Sequence, residues 1–378
     1  MKVAIFESIL TPGGHEIDFD RLLVDELRNL EIDVSFYVPE GYRFKYDYGV
    51  PVRYLPGRGV SYEGVRGIRK LWHAAKRECN RQRWFKALYQ HGVAGDVDAI
   101  IIPTATYRYL RALDFNMLKK SPIPIIFIVH GVNPKEAPSF FKQVEKLKKY
   151  DNIKIAVLTL NENILGQQHN NVHCLKPPTF IPRDIDYKPT AKAGNTLKLG
   201  FFGQYRKEKN LDAFLDAFLS CKFPPTVELF VQGATIKPED AADFQRIQKK
   251  YANYSQIEFL HKALIGQEWQ AAIASVDALI MPYASSRYKY HWGGMFFTAI
   301  GFHKPVVIAE DVNPEVLAQY DIGVHCSTGD NQALNKALEH FVTTYDDKSE
   351  IYRNELHRAN REFAPSRMVE QLLTLGRG

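Results

Sequence analysis

The sequence predicts an α/β protein built as two doubly wound parallel-sheet domains, and three observations carry that expectation. The chain has 378 residues, about two typical domains. Short apolar runs of strand length alternate along it with segments whose apolar residues recur at helical spacing. The stretch Leu197–Asn210, LKLGFFGQYRKEKN, then starts the pattern afresh in the middle of the chain. Its apolar half stops at Gly203, cations follow at Arg206, Lys207 and Lys209, and an amphipathic helix begins near Leu211. Glycine lets the backbone turn closely, and a helix start presents unpaired N–H groups and a positive dipole end, so this arrangement suits an anion. The plain alternative is a solvated basic loop. A second such element, Gly293-Gly294 before an apolar helix, follows about 90 residues later and favours a phosphate site.

The amino-terminal half opens with the strand Lys2–Phe6, the turn TPGGHE, a helix over Ile17–Leu30 and a strand over Val34–Val38. That βαβ opening begins a doubly wound sheet. The loop Thr11–His15 falls at the carboxyl end of the first strand, where ligands of open sheets bind. Gly13 and Gly14 either form an ordinary turn or admit a ligand beside the backbone. Residues 41–60 show little periodicity, and Val65–His91 reads as a helix. Strands follow at Asp98–Ile102, Ile123–Val129, Lys154–Thr159 and Val172–Leu175, giving about six in the first domain. His130-Gly131 stands at a strand's carboxyl end, a position open to a buried structural histidine or to a functional one.

A Pro-rich, strand-poor stretch, residues 177–196, separates the halves. The expected division is 1–180, a linker 181–196, a second domain 197–355, and a helical segment 356–378 that packs back on the first domain. The second half runs through a helix at Leu211–Leu219, a strand Val227–Val231 before Gln232-Gly233, a helix Pro238–Tyr251 and a strand Ile257–Phe259. A helix Gly266–Ser275, a strand Ala278–Met281 and the polar aromatic loop Pro282–Trp292 come next. Helix Met295–Phe302, strand Pro305–Ile308 and helices at Glu315–Tyr320, Asn331–Thr344 and Ser366–Leu375 complete it.

The formal charge is +6, unevenly placed: residues 41–90 hold twelve Lys/Arg against three acids, so this window carries +9 and the remainder −3. An anionic partner is expected there. Arg69, Trp72, Lys76, Arg77, Arg83 and Trp84 form either an interfacial face on an anionic membrane or the solvated side of a packed helix. No recognition motif for nucleic acid accompanies the charge, so none is expected as a partner. The four cysteines, Cys79, Cys174, Cys221 and Cys326, have no metal-type spacing and fit reduced thiols in a cytoplasmic protein. No apolar run approaches a membrane span, and MKVAIFESIL reads as a strand rather than a signal peptide. Of three Asp-x-Asp triplets, Asp18/Asp20 falls in a helix, Asp96/Asp98 before a strand and Asp184/Asp186 in the linker; all are read as chance, and no metal is expected.

At this point the sequence resembles a known family, the GT-B glycosyltransferases of the large group called family 4, over nearly the whole chain and most strongly from Leu197 to Gly323. The motifs are Gly203 with Lys209-Asn210, Pro12-Gly13-Gly14, His130-Gly131, Ala274–Pro282, Lys304-Pro305-Val306-Val307 and Pro314-Glu315-Val316. The family's Arg directly after the glycine is Gln204 here, and Arg206 is expected in its place. Two glutamates usual in the family fall on Tyr290 and Thr298, so both carboxylates are missing. The resemblance implies two Rossmann-like domains with an interdomain cleft, an acceptor in the first domain and a nucleotide-sugar, UDP or GDP based, in the second. It implies a metal-independent, retaining transfer to a glycan or lipid-linked acceptor in cell-surface glycan or glycolipid assembly, on the inner face of the membrane. Arg206 and Lys209 would stabilise the leaving diphosphate, and His130 would orient the sugar or acceptor. Gly13, Gly14, Gly203, Asn210, Gln232, Tyr290, His291, Gly293, Gly294 and Met295 would hold the donor. Rival readings are a sugar-nucleotide epimerase or phosphorylase of the same fold, and a non-catalytic carbohydrate-binding relative. Oligomeric state is not readable from the sequence.

Overall fold

Among the described residues every strand pair is parallel, the arrangement that crossover connections favour. The computed structural model describes residues 1–10, 14–60, 67–166, 169–189, 195–224 and 226–377. They fall into two units, Met1–Pro177 with Pro365–Gly378, and Pro178–Ala364.

The first unit contains β1 (Lys2–Phe6), α1 (Gly14–Asn29), β2 (Asp33–Glu40), β3 (Val52–Arg58), α2 (Ile68–Val93), β4 (Ala99–Ala105) and α3 (Tyr107–Ala112). It continues with β5 (Ile125–Val129), α4 (Ala137–Leu147), β6 (Ile153–Leu158) and β7 (Val172–Leu175). Among the described residues these strands form a seven-stranded sheet in the order β3-β2-β1-β4-β5-β6-β7. The order reverses between β1 and β4, which is the topological switch point. The central strands are buried along their length, as two-sided coverage requires.

Several expectations for this unit need correction. Residues 41–60 are not wholly irregular: β3 is a seventh strand, on the sheet edge, where Pro56 is tolerated and most side chains are exposed. Exposure erases the hydrophobic alternation, so pairing with β2 alone makes it a strand. Helix α1 starts at Gly14 rather than Ile17, and α4 carries an apolar face of Phe140, Val144 and Leu147 that the sequence reading passed over. Trp84 is not interfacial. It is 2% exposed, donates its indole N–H to Gly57 O at 3.0 Å and meets Phe6 at 6.0 Å between ring centres.

The second unit contains β8 (Leu197–Phe201), α5 (Leu211–Ser220), β9 (Val227–Gln232), α6 (Pro238–Lys250), β10 (Ile257–Leu260), α7 (Gly266–Ala274) and β11 (Ala278–Met281). It continues with α8 (Gly294–Gly301), β12 (Val306–Ala309), α9 (Pro314–Gln319), β13 (Gly323–Cys326) and α10 (Asn331–Glu362). Among the described residues its strands run β10-β9-β8-β11-β12-β13, with the reversal between β8 and β11. Helix α10 is 32 residues long and starts on Asp330, whose carboxylate accepts from Gln332 N and Ala333 N. Position 356 lies inside this helix, where Leu356 and Ala359 are buried. Beyond Pro365, α11 (Pro365–Arg377) packs on α1, β5 and β6 of the first unit through Met368, Val369, Leu372 and Leu373.

Candidate active site

The second unit's switch point is built around Lys209. β8 ends in Phe201, and Gly203 then takes φ +104°, a conformation that a side chain would strain. A Cβ there would also sit tightly, 3.1 Å from Lys209 Nζ. A 3-10 turn over Lys207–Lys209 and a left-handed Asn210, φ 61°, deliver the chain to α5. The turn folds Lys209 inward, where it is 9% exposed and its ammonium donates to Phe202 O at 3.2 Å. The cation also lies 5.3 Å from the Tyr283 ring centre and 5.9 Å from that of Phe201. Burial, and secondarily the Arg206 charge, pull its pKa down from 10.5 to about 7, against a smaller opposing pull from Glu208. A lysine so held gains from any anion that reaches it.

Glu208 ties the two switch-point loops together. Its Oε1 accepts from Arg287 Nη1 at 2.7 Å and lies 3.7 Å from Arg206 Nη1, and its carbonyl accepts from Ala284 N at 3.0 Å. Arg206, Lys209 and Arg287 therefore converge on one corner of the sheet's carboxyl edge. Gln232 closes the same corner from β9, accepting from Gly203 N at 2.9 Å and donating to Lys262 O at 2.5 Å. Both ends of that amide are thus used in holding the loop.

The Gly293-Gly294 element stands at the start of α8. Gly293 is left-handed, φ 61°, and a Cβ would meet Asn313 Nδ2 at 2.7 Å. That amide donates to Trp292 O at 2.9 Å and fixes the turn. Tyr290 is half-buried at the end of a 3-10 turn over Ser286–Tyr290, with His291 and Met295 half-buried beside the glycines. Thr298, at the second missing glutamate position, is buried and donates its hydroxyl back to Gly294 O at 2.9 Å. A carboxylate does stand at the end of β12: Asp311, 9% exposed, pairs with Lys289 at 2.9 Å. Sequence reasoning missed Glu208, Tyr283, Arg287 and Asp311. Only Tyr283 and Arg287 had a signal, their place in the polar aromatic loop after β11.

The first unit's switch point has the opposite character. Glu7, directly after β1, is 2% exposed and accepts from Ser8 N and Ile9 N, while its Oε2 has no partner. Burial lifts its pKa from 4.5 to about 7 despite those bonds. Asp20 on α1, 3% exposed and with an unpartnered Oδ1, is raised well above the usual range by burial and then by Glu7 and Glu16. His130 contacts Pro103 O through Nε2 at 2.8 Å and His15 Nε2 through Nδ1 at 3.0 Å. A carbonyl only accepts, so Nε2 carries the hydrogen and Nδ1 of the neutral ring accepts from His15. Gly14 opens α1 in this neighbourhood, and Gly13 lies outside the described residues.

On α2 the other surface residues divide. Arg69, Trp72, Lys76 and Arg83 are exposed, Lys76 lying 5.6 Å from the Trp72 ring centre, while Arg77 is half-buried and Trp84 is core. Among the described residues no group of three or more His, Cys, Asp or Glu is placed to hold a metal ion. None of their helices is long and apolar enough to cross a membrane.

Residues 182–362 match the family model of glycosyl transferases group 1. No curated protein matches the chain by sequence. Among solved structures it is similar to HepE of Anabaena in complex with UDP and glucose, at TM-score 0.69 and 14% identity, covering 99% of this chain and 98% of that one. It is similar to sucrose-phosphate synthase of Thermosynechococcus elongatus, at TM-score 0.68 and 12% identity, covering 100% and 98%. WaaG, a glycosyltransferase involved in lipopolysaccharide biosynthesis, aligns at TM-score 0.62 and 16% identity over all of both chains. The chain therefore has the GT-B fold along its whole length, and its residues 182–362 resemble the group 1 glycosyl transferases.

Proposed function

We propose that the protein transfers a sugar from a nucleotide-sugar to an acceptor hydroxyl, in the assembly of a cell-surface glycan or glycolipid. The observation that carries this reading is the buried Lys209, held with Arg206 and Arg287 at the second unit's switch point. A diphosphate there would restore the charge that burial suppresses on Lys209. As the bond to the sugar breaks, negative charge grows on the leaving diphosphate, and fixed cations stabilise that charge more than the ground state. The similarity to HepE, solved with UDP and with UDP-glucose, supports a uridine nucleotide as the first donor to try. In this reading cations do the work of a metal, the sugar is transferred with retention, and the first unit receives the acceptor. Asp311 with Lys289, beside the Gly293-Gly294 turn, is the group placed to hold hydroxyls in place of the missing glutamates. Thermal unfolding against a panel of UDP-, GDP- and ADP-sugars tests the donor, since binding raises stability by mass action. One nucleotide-sugar shifting the transition, with turnover surviving EDTA, is the expected result; no shift with any of them refutes the reading.

Membrane attachment extends it, on the observation that Ile68, Leu71 and Trp72 are 86%, 73% and 64% exposed among the cations of α2. Flotation with anionic but not neutral vesicles, weakened by salt and by Trp72→Ala, is expected, at about 1 kcal/mol for each cation near the surface.

A further inference from the structure

We propose that the edge of the first unit carries a docking site for a neutral oligosaccharide, apart from the switch points. The sequence Tyr42–Tyr48, YRFKYDY, places an aromatic ring at every second position. Phe44 and Tyr48 pack on Phe36 of β2, with ring centres 5.0 Å and 4.9 Å away, and Tyr46 packs on Tyr48 at 5.1 Å. Phe36 is fully buried, whereas the other three rings are only half-buried. They line an open cavity of about 270 Å³ together with Lys45, Asp47 and the start of β3. A hydrophobic core would have closed on such rings; here they stay partly in solvent around a hollow.

The lining fits a sugar in both of its aspects. The C–H face of a pyranose is weakly positive and packs on the negative face of an aromatic ring. Its hydroxyls need donors and acceptors at the rim, which the exposed Lys45 ammonium and the Asp47 carboxylate supply. Asp47 is oriented by Gly49 N, which donates to Oδ1 at 2.9 Å and leaves Oδ2 to accept from a ligand. Tyr48 is anchored through its hydroxyl to Ile17 O on α1 at 3.4 Å. One cation and one anion balance at the rim, which favours a neutral ligand over an anionic one. Strand β3 lies two strand spacings, about 10 Å, from β1, so a glycan chain rather than a single sugar would reach from the cavity toward the switch point. That this glycan is the acceptor rests on the proposed function; that the cavity binds saccharide does not.

Native gel electrophoresis through dextran, soluble starch, hydroxyethyl cellulose or galactomannan provides the test. The wild-type chain should be retarded in at least one of these gels. Tyr46→Ala should abolish the retardation and Lys45→Ala should weaken it, both with the wild-type unfolding temperature and the wild-type response to nucleotide-sugar. Lys45→Ala alone serves if Tyr46→Ala fails to fold. Retardation in none of the four polysaccharides overturns the proposal, as does retardation that both variants keep or that Lys209→Ala removes instead. Retardation that persists in a chain with no response to any nucleotide-sugar refutes the transferase reading and leaves the docking site standing.

Discussion

The two switch points share a topology and bury groups of opposite charge. Each lies where a parallel sheet reverses its strand order, between β1 and β4 in one unit and between β8 and β11 in the other. In the second unit the loops bury a cation, Lys209, and add Arg206 and Arg287. In the first they bury the carboxyls of Glu7 and Asp20, each with an oxygen lacking a partner. Burial disfavours charge at both places, pulling Lys209 down and Glu7 up to about 7, so both groups sit at the edge of ionisation near neutral pH. The fold supplies the crevice, and a few residues around it decide which sign of charge is buried there.

The largest expected effect comes from the basic side. Lys209→Ala should lower kcat at least tenfold, about 1.4 kcal/mol or more, with Arg206→Ala of similar sign. Near-normal turnover in both would break the contrast. Bound diphosphate favours the ammonium, so donor affinity should weaken as pH rises above 7, by up to about tenfold per pH unit. Stability follows the opposite course. With a folded pKa near 7 and an unfolded value of 10.5, the unfolded chain binds more protons between them, so Lys209's contribution rises with pH across that window. Lys209→Met should therefore melt higher than wild type at pH 7 or below, by roughly 2–4 °C per kcal/mol, while losing donor response.

The acidic side should show the mirror image at smaller amplitude. Glu7 has a folded pKa near 7 against 4.5 unfolded, so the folded chain binds more protons between these values and loses stability as pH rises through them. Glu7→Gln removes that loss. Its melting temperature relative to wild type should be higher at pH 8 than at pH 5, and a pH-independent difference would show Glu7 to be ionised and satisfied.

The smallest effect is expected at His130, whose two nitrogens are already engaged with Pro103 O and His15. An orienting ring predicts that His130→Asn keeps activity within about tenfold, whereas a general base predicts a loss of a hundredfold or more with no rescue by Asn. Activity falling below about pH 6.5 would also favour the base. His130→Ala with unchanged kcat and KM would leave it a purely structural residue.

Much of the scaffold was legible without coordinates because it follows from local rules. Apolar runs such as Ile125–Val129, buried at all five positions, cannot be anything but central strands once helices alternate with them. Gly203 and Gly293 were legible for a related reason: each precedes a helix, and each proves to have a positive φ that a side chain would strain, with a collision as well at Gly293. What escaped was set by neighbours distant in sequence. β3 is a strand only because β2 pairs with it. Trp84 looked interfacial among its cations and is core, because 3.6-residue periodicity turns it toward Phe6 while Trp72, twelve positions earlier, remains 64% exposed. The charge of residues 41–90 was written in the sequence, but which of its aromatics face solvent was not.

The sequence by itself determined most of the central strands and long helices, the two glycine turns and the cations beside them, since propensity, periodicity and backbone freedom are properties of short segments. Only the tertiary structure decided that Lys209 is buried rather than solvated, that Glu208 joins the loops after β8 and β11, and that Glu7 and Asp20 are both buried in the first unit, close enough for one charge to act on the other. Burial and desolvation are collective, set by what else packs around a group, and no pattern along the chain encodes them.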